Sequence, residues 1–253
     1  MIPKHILAAA LAAFLAHSAA ADTLRIATEG AYPPFNFVDE SGEVQGFDVE
    51  IAKALCAEMK ADCEIVTQAW DGIIPGLKAG KYDAIVASMS ITEKRKKAVD
   101  FTDPYYAAGA ALIAPKGSDI TYTPEGLDGK TIGVQRATTY ATLVEKKFPG
   151  ATLKTYDTVE NHNLDLQAGR LDGVVAQQVL MYNWLEKEGG DAFEFKGDPV
   201  KDVEYIGSGA GIAVEKGNTE LLDRLNGALD TIQQNGTYAE INAKYFPFSI
   251  SAE

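Results

Sequence analysis

The sequence predicts an α/β fold of two lobes, each a mainly parallel sheet flanked by helices, with a ligand cleft between the lobes. First, short apolar runs alternate with amphipathic helical segments, which indicates parallel sheets with right-handed crossovers. Second, GLKAGKYDAIVA (76–87) and DLQAGRLDGVVA (165–176) share six of twelve positions at a spacing of 89 residues. Each segment is typical of a helix end, a glycine and a buried strand, so we expect two similarly built lobes.

The elements of the first lobe follow in chain order. LRIAT (24–28), EIVTQ (64–68) and DAIVAS (83–88) are short, mostly apolar runs that predict strands. DVEIAKALCAEM (48–59) carries apolar residues at helical spacing, and its first residue, Asp48, is a candidate N-cap. A second helix is expected between the second and third strands. This alternation predicts a parallel sheet.

The second lobe repeats the order. Its predicted elements are the strand KTIGVQ (130–135), a helix from Thr138 onward, the strand LKTY (153–156), the helix VENHNLDLQAG (159–169) and the strand DGVVAQ (172–177). In ALIAPKGS (111–118) the chain is expected to be extended where it enters this lobe. In the glycine-rich segment EYIGSGAGIAVEKG (204–217) it is expected to return to the first lobe. Because the chain crosses twice, we expect residues 22–108 and 207–253 to form lobe 1 and residues 109–206 to form lobe 2.

The C-terminal part is predicted to be helical. LLDRLNGALDTI (221–232) has apolar residues at helical spacing, and Asn235-Gly236 predicts the end of that helix. TYAEINAKYF (237–246) is predicted to be a last helix. The two crossovers, near 108–112 and 204–210, are expected to act as the hinge about which the lobes close on a ligand.

Residues 1–21 are a segment of a different kind. A basic start, an apolar stretch from Ile6 to Ala16 and alanines up to Ala21 are typical of a cleaved secretory signal peptide; a retained anchor is the alternative. The formal net charge is −13, and loss of Lys4 with this segment makes it −14. We therefore expect an acidic periplasmic protein whose negative electrostatic potential opposes binding to nucleic acid and anionic membranes.

Two cysteines, Cys56 and Cys63, lie seven positions apart. In an exported chain with no third cysteine and no nearby histidine pair, they favour a disulfide over a metal site. His5 and His17 belong to the predicted signal peptide, which leaves His162 alone. A zinc site and a histidine-dependent triad are therefore not expected, and neither is a cofactor.

Candidate ligand-binding residues follow the predicted strands, because ligands of open α/β sheets bind beyond the carboxyl ends of the strands. They are Glu29, Tyr32, Trp70, Ala87, Ser88, Met89 and Ser90 in lobe 1, and Gln135, Arg136, Thr138, Thr139 and Gln177 in lobe 2. In the internal repeat Ser88 and Gln177 are equivalent. Both are therefore expected to face the cleft, from opposite lobes.

Arg95 is a further candidate, although it stands in a run of four cations. If Thr92 caps a helix, Arg95 shares a face with Val99, which must pack inward. Glu93 and Lys97 then form a pair on the opposite, solvent face. The geometry separates outward lysines from a single inward arginine.

An inward guanidinium in a first helical turn is unfavourable for the helix dipole and needs a partner. A ligand carboxylate held by the fork of Arg95, with help from Ser90 and nearby N–H groups, would provide one. The alternative is an internal ion pair with a protein carboxylate such as Asp103.

Two aromatic residues can form a wall of the same site. Tyr32 and Trp70 each follow a strand and can stack on a flat or aliphatic ligand group. With Glu29 they make a pocket suited to a cationic group. A role in the core is the alternative for either aromatic residue alone.

Six segments of the chain resemble the polar amino-acid branch of periplasmic solute-binding proteins of ABC importers, which includes lysine/arginine/ornithine, histidine and opine binders. The segments are RIATEGAYPPFNF (25–37), GFDVEIAKALC (46–56), WDGIIPGLKAGKYDAI (70–85), ASMSITEKRKKAVDFTDPYY (87–106), GVQRATT (133–139) and NGTYAEINAKYF (235–246). The resemblance covers essentially the whole chain after residue 21. It implies a two-lobed periplasmic binding protein fold, a monomer, and a permease and ATPase as partners.

The resemblance also implies roles for single residues. Arg95 binds the ligand α-carboxylate with Ser90 and the N–H of Thr139, and Ser88 contacts the α-amino group. Tyr32 and Trp70 enclose the ligand side chain. Glu29 stands where binders of basic amino acids place an acid near the distal cation. The two cysteines match a disulfide common in these proteins.

Two residues depart from the family pattern. Gln177 stands where most members have an aspartate that pairs with the ligand ammonium, and Arg136 stands where a small residue is usual. The change of about two charges would suit a ligand with an extra carboxylate, such as an opine of the octopine or nopaline type. Alternatively, Gln177 accepts the ammonium and Arg136 points to solvent, which leaves a basic amino acid as the ligand.

Two further alternatives concern function. A few proteins of this fold family are periplasmic cyclohexadienyl dehydratases, and Glu29 could in principle serve as their catalytic acid, but no second acid or base is evident. A chemosensory role through a membrane receptor would use the same closed form. We expect a binding protein and not an enzyme.

Overall fold

Two five-stranded sheets flanked by helices form the centres of two lobes. The computed structural model describes residues 23–107 and 109–252. We call the part around the first sheet lobe 1 and the part around the second sheet lobe 2. The predicted α/β class is confirmed. The signal peptide predicted for residues 1–21 lies outside the described residues.

The elements alternate as the sequence predicts. The N-terminal part of lobe 1 contains β1 (Leu24–Thr28), β2 (Ala31–Tyr32), β3 (Asn36–Val38), β4 (Val44–Gln45), α1 (Phe47–Glu58), β5 (Cys63–Thr67), α2 (Trp70–Lys78), β6 (Ala84–Ile85), α3 (Glu93–Lys96) and β7 (Val99–Phe101). Lobe 2 contains β8 (Ala110–Pro115), β9 (Thr131–Gln135), α4 (Thr139–Lys147), β10 (Thr152–Tyr156), α5 (Val159–Gln167), β11 (Gly173–Gln177), α6 (Gln178–Trp184), a π-helical turn (Leu185–Gly189), β12 (Phe193–Phe195) and α7 (Val203–Ile206). The chain returns to lobe 1 as β13 (Ala213–Glu215), α8 (Thr219–Gln234) and α9 (Thr237–Tyr245).

The strand order combines parallel and antiparallel neighbours. In lobe 1 the order is β5-β1-β6-β13-β7, and β1 is parallel to β5 and β6. In lobe 2 the order is β10-β9-β11-β8-β12, and β9 is parallel to β10 and β11. The other pairs of these two sheets are antiparallel and involve β13 or β8, and β2, β3 and β4 form a separate antiparallel sheet. Strands β8 and β13 follow the crossovers between the lobes, whereas the parallel strands are joined through helices of their own lobe.

The internal repeat recurs in the structure. Helices α2 and α5 are each followed by a glycine in the left-handed region, Gly80 with φ 67° and Gly169 with φ 69°. The following aspartates, Asp83 and Asp172, each accept a hydrogen bond from a backbone N–H near the start of β1 or β9, at 2.8 and 2.7 Å. The shared sequence therefore fixes the same helix stop and the same strand anchor in both lobes.

Two local predictions were wrong. Helix α1 is preceded by Gly46, with φ 121°, so Asp48 is not its N-cap; Asp48 lies inside the first turn and is fully buried. The helix carrying Glu93 has only four residues, and Glu93 pairs with Lys96 at 3.0 Å instead of with Lys97. The chain leaves the helix for β7 before an i, i+4 pair can form.

The two crossovers run side by side. Tyr106 forms an antiparallel bridge with Ala210, and Ala110 forms one with Val200. The C-terminal tail also joins this region, since the N–H of Ala107 donates to the carbonyl of Ile250 at 3.0 Å. In the ranges 23–107 and 109–252, no helix has the length and apolar character needed to cross a membrane.

An aromatic cluster supports lobe 1 next to these crossovers. The rings of Phe35 and Tyr106 stack at 5.0 Å, Tyr105 packs edge-on against Tyr106 at 5.1 Å, and all three residues are buried together with Phe47. The hydroxyl of Tyr105 is buried with this cluster and needs a hydrogen-bond partner. It donates to Asp48 at 2.6 Å, which connects this core to the cleft.

Cys56 and Cys63 form a disulfide that joins the last turn of α1 to the start of β5. By the chain-entropy model a loop of this size contributes about 2 to 3 kcal/mol to stability. The double variant C56S/C63S should therefore lose about that much free energy of unfolding in urea, with a melting temperature lower by roughly 4 to 10 °C. Dithiothreitol should lower the melting temperature of the native protein similarly and leave the variant unchanged. Equal stability of both proteins would contradict the prediction.

Candidate functional site

A cavity lies between the lobes, beyond the carboxyl ends of β1 and β9. Lobe 1 lines it with Glu29, Tyr32, Trp70, Ala87, Ser88, Ser90 and Arg95, and lobe 2 lines it with Gln135, Thr138, Thr139 and Tyr140. Among the described residues, no group of three or more His, Cys, Asp or Glu side chains could hold a metal ion.

Ten of the thirteen residues predicted to bind a ligand line this cavity, and Met89, Arg136 and Gln177 do not. Met89 is fully buried in the core of lobe 1. Gln177 is 1 % exposed and caps α6, because its Oε1 accepts the N–H of Leu180 at 2.6 Å. It therefore does not face the cavity opposite Ser88, although the repeat suggests that position. A ligand contact stays a prediction for all thirteen residues.

The guanidinium of Arg95 is the cation of the cavity. Its Nη1 donates to the carbonyl of Ser90 at 3.0 Å and its Nη2 to that of Ala137 at 3.4 Å, while its carbon lies 5.2 Å from the centre of the Trp70 ring. Burial lowers the pKa of Arg95 to about 10, so the group stays charged at neutral pH. No carboxylate of the described residues pairs with Arg95, so the ion pair with Asp103 is not formed.

Helix α4 directs its N-terminus towards the same region. Thr138 is the N-cap, and its hydroxyl accepts the N–H of Ala141 at 3.1 Å. The N–H groups of Thr139 and Tyr140 have no acceptor within the helix. The hydroxyls of Thr139 and Ser90 lie 3.4 Å apart across the cleft. An anion between Arg95 and this helix end would meet a guanidinium, two hydroxyls and free N–H groups.

Ser88 is held in a strained conformation by a buried carboxylate. Its φ is 53°, its hydroxyl donates to Asp48 at 2.8 Å, and its N–H donates to the hydroxyl of Tyr105 at 3.0 Å. Asn36 also donates to Asp48. Burial raises the pKa of Asp48 to about 6, and these hydrogen bonds act in the opposite direction. Because its proton points to Asp48, the Ser88 oxygen can only accept from a ligand, as an ammonium requires.

Glu29 is the acid of the cavity. It is 9 % exposed, and its Oε1 accepts a hydrogen bond from Gln135 Nε2 at 2.5 Å, across the cleft. The same amide nitrogen donates to the carbonyl of Asp157 at 3.0 Å. Burial raises the pKa of Glu29 to about 7, and the hydrogen bond from Gln135 offsets part of that rise. Since no cation of the described residues pairs with Glu29, a cationic ligand group would relieve this burial cost.

Three aromatic residues enclose the space. Tyr32 and Tyr140 are each 7 % exposed, and the indole N–H of Trp70 donates to the carbonyl of Ala137 at 3.2 Å. Tyr140 was not among the predicted residues. The feature that could have identified it is its place in the first turn after the cap Thr138, where an α4 side chain can reach the cleft. Asp48 was missed as a support of Ser88 because it was assigned to helix capping.

Arg136 lies at the rim of the cleft, outside the cavity lining. Its Nε donates to Asp71 Oδ2 at 2.9 Å, its Nη2 lies 2.8 Å from the same oxygen, and its Nη1 pairs with Asp157. The backbone N–H of Arg136 donates to the carbonyl of Tyr156 at 2.9 Å. The guanidinium is thus shared by a carboxylate of lobe 1 and one of lobe 2.

Comparison with known proteins gives a consistent result. Residues 24–248 match the model of the bacterial extracellular solute-binding proteins, family 3. The L-arginine-binding protein of Pseudomonas aeruginosa is 43% identical over 92% of this chain and 91% of its own, and ABC transporter arginine-binding protein 1 of Escherichia coli K12 is 38% identical over 96% and 99%. The structure of an ancestral arginine-binding protein bound to arginine superposes with a TM-score of 0.82 at 39% identity, covering 88% of this chain and 98% of the other.

Proposed function

Because this chain belongs to family 3 of the bacterial extracellular solute-binding proteins, we propose that it binds arginine between its lobes and delivers it to an ABC importer. One observation carries the choice of ligand. The cavity between the lobes contains a partly buried guanidinium, Arg95, and a buried acid, Glu29, and neither belongs to an ion pair of the described residues. A ligand with a carboxylate and a distal cation would satisfy both.

The proposed orientation of arginine follows from the polar groups. Its α-carboxylate lies between Arg95, Ser90 and the N-terminus of α4, and its α-ammonium donates to Ser88. Its side chain passes between Tyr32 and Trp70, which provide apolar faces. Its guanidinium meets Glu29. Gln135 of lobe 2 donates a hydrogen bond to the Glu29 carboxylate and would keep this bond beside the ligand.

We propose closure about the crossovers as the mechanism. Lobe 1, residues 22–108 and 207–253, would hold most ligand contacts, and lobe 2, residues 109–206, would complete the site. Since closure depends on contacts to ligand, a permease and ATPase can distinguish loaded from empty protein. We place the protein in the periplasm as a monomer. Its relatives are solute-binding proteins, and we propose that it catalyses no reaction.

The opine alternative requires an uncommitted cation at Arg136. That guanidinium is instead shared by Asp71 and Asp157 outside the cavity. Gln177 does not line the cavity and its Oε1 caps α6, so neither departure from the family pattern places a donor in the cavity for a second ligand carboxylate. Nothing in the geometry favours an opine over arginine.

A thermal-shift screen tests this function. Purified protein is heated with arginine, lysine, ornithine, histidine, octopine or nopaline, and arginine should give the largest increase in melting temperature. A shift only with octopine or nopaline would overturn the arginine assignment. Turnover of prephenate or arogenate by the same preparation would overturn the assignment as a binding protein.

A further inference from the structure

Most polar contacts between the lobes come from one short segment. Among the described residues, the hydrogen bonds and ion pairs that cross the cleft come mainly from residues 135–139. The contacts are Gln135 to Glu29, Arg136 to Asp71, the Ala137 carbonyl to Trp70 and Arg95, and Thr139 to Ser90. This segment ends β9 and begins α4, so it moves with lobe 2 as a unit.

The pair of Arg136 and Asp71 differs from the other contacts. In each of the others, the lobe 1 partner lines the cavity: Glu29, Trp70, Arg95 or Ser90. A bound ligand would contact these side chains directly, so the contacts that they make across the cleft depend on the ligand. Neither Arg136 nor Asp71 lines the cavity, so their pair is compatible with both the empty and the loaded closed forms.

We propose that Arg136 and Asp71 form a latch that stabilises the closed form whether or not a ligand is present. Two nitrogens of Arg136 converge on one oxygen of Asp71, and a third pairs with Asp157 of the same lobe, which holds the guanidinium in place. Opening of the cleft must break the pair with Asp71 and can keep the pair with Asp157. Its effect on affinity rests on the proposed binding function, whereas its effect on closure does not.

The latch should be modest in strength and sensitive to salt. The side chains of Arg136 and Asp71 are 42 % and 43 % exposed, and half-exposed ion pairs are screened. A protein that must close to bind has an apparent Kd divided by its closed fraction, so loss of the latch raises the Kd. We expect an increase of about two- to fivefold, mainly through faster dissociation.

The test uses the double variant R136Q/D71N, which removes the pair and leaves the net charge near the cavity unchanged. This matters because Asp71 also acts electrostatically on Glu29. Fluorescent labels on exposed positions of each lobe report the distance between the lobes without ligand, and arginine titration reports the Kd. The double variant should have a longer mean distance and a Kd about two- to fivefold higher. K130Q/D119N is the control, because it removes an ion pair within lobe 2, also leaves the net charge unchanged and does not touch the pair between the lobes.

The single variants R136Q and D71N complete a double-mutant cycle. Their effects on the distance between the lobes should be far from additive, because either change already breaks the pair. About 0.5 M salt should reduce the difference between native protein and double variant. Equal distances in native protein and double variant, or additive single effects, would overturn the latch. Failure of native protein to bind arginine would overturn only the proposed function, since the distance is measured without ligand.

Discussion

Replacing Arg95 by lysine should weaken arginine binding by about 2 to 3 kcal/mol, roughly thirty- to one-hundred-and-fifty-fold, while the protein stays folded. Lysine keeps the positive charge but cannot present two parallel N–H donors to a carboxylate. It also loses the donation to the Ser90 carbonyl that fixes the side chain at the end of the cavity. Isothermal titration with arginine measures the loss of affinity, and circular dichroism checks the fold.

Lys94 supplies the matched control for Arg95. It is the preceding residue of the same short helix, it is exposed, and it does not line the cavity. Lys94→Ala removes one positive charge and should change the Kd less than twofold, since an exposed charge is screened. If Arg95→Lys bound arginine as tightly as the native protein, Arg95 could not be the carboxylate partner. Equal losses in both variants would indicate long-range charge instead of a direct contact.

Arginine affinity should fall as the pH drops below about 7. In the ligand-free cavity burial raises the pKa of Glu29 to about 7, so the carboxyl is largely protonated at lower pH. A cationic ligand group favours the carboxylate and lowers this pKa, so binding below pH 7 must release a proton. The Kd should therefore level off above pH 7, approach a rise of about tenfold per pH unit below it, and at about pH 5.5 be roughly thirtyfold above its high-pH value. Calorimetry in buffers of different ionisation enthalpy counts the released proton.

Glu29→Gln should remove the charge and most of the pH dependence. At about pH 8 this variant should bind arginine about 2 to 5 kcal/mol more weakly, because a ligand cation would be buried without its partner. Its Kd should change far less between about pH 5.5 and about pH 8 than that of the native protein, with the protonation of Asp48 as the remaining source of change. Glu43→Gln, at an exposed acid of the β3–β4 turn, should retain the native affinity and pH profile. A flat profile in the native protein would contradict the assignment of Glu29.

Much of this site could be predicted because it depends on local order. The strand that ends at Thr28 places Glu29 at a sheet edge, and the cap at Thr138 places Thr139 at a helix N-terminus. Both relations are set within a few residues of chain. Arg95 was predicted to point inward by helix geometry, and it lines the cavity although α3 has only four residues.

The misassigned residues depend on partners far along the chain. Asp48 looks like a helix cap because an acid begins an amphipathic run, yet Ser88 and Tyr105, which are distant in sequence, draw it into the core. Arg136 looks like a ligand contact because it adjoins the cleft, but Asp71 and Asp157 bind it at the rim. The amide of Gln177 satisfies the start of its own helix.

Local sequence patterns predict the alternating elements, the duplicated helix–glycine–strand segment and most residues of the cavity, because helix ends, caps and strand ends are encoded by neighbouring residues. Tertiary contacts set the antiparallel entry of β8 and β13, the support of Ser88 by Asp48, and the ion pair of Arg136 with Asp71. These features join residues from different elements or different lobes. Their energies depend on burial and on distances that no local pattern specifies.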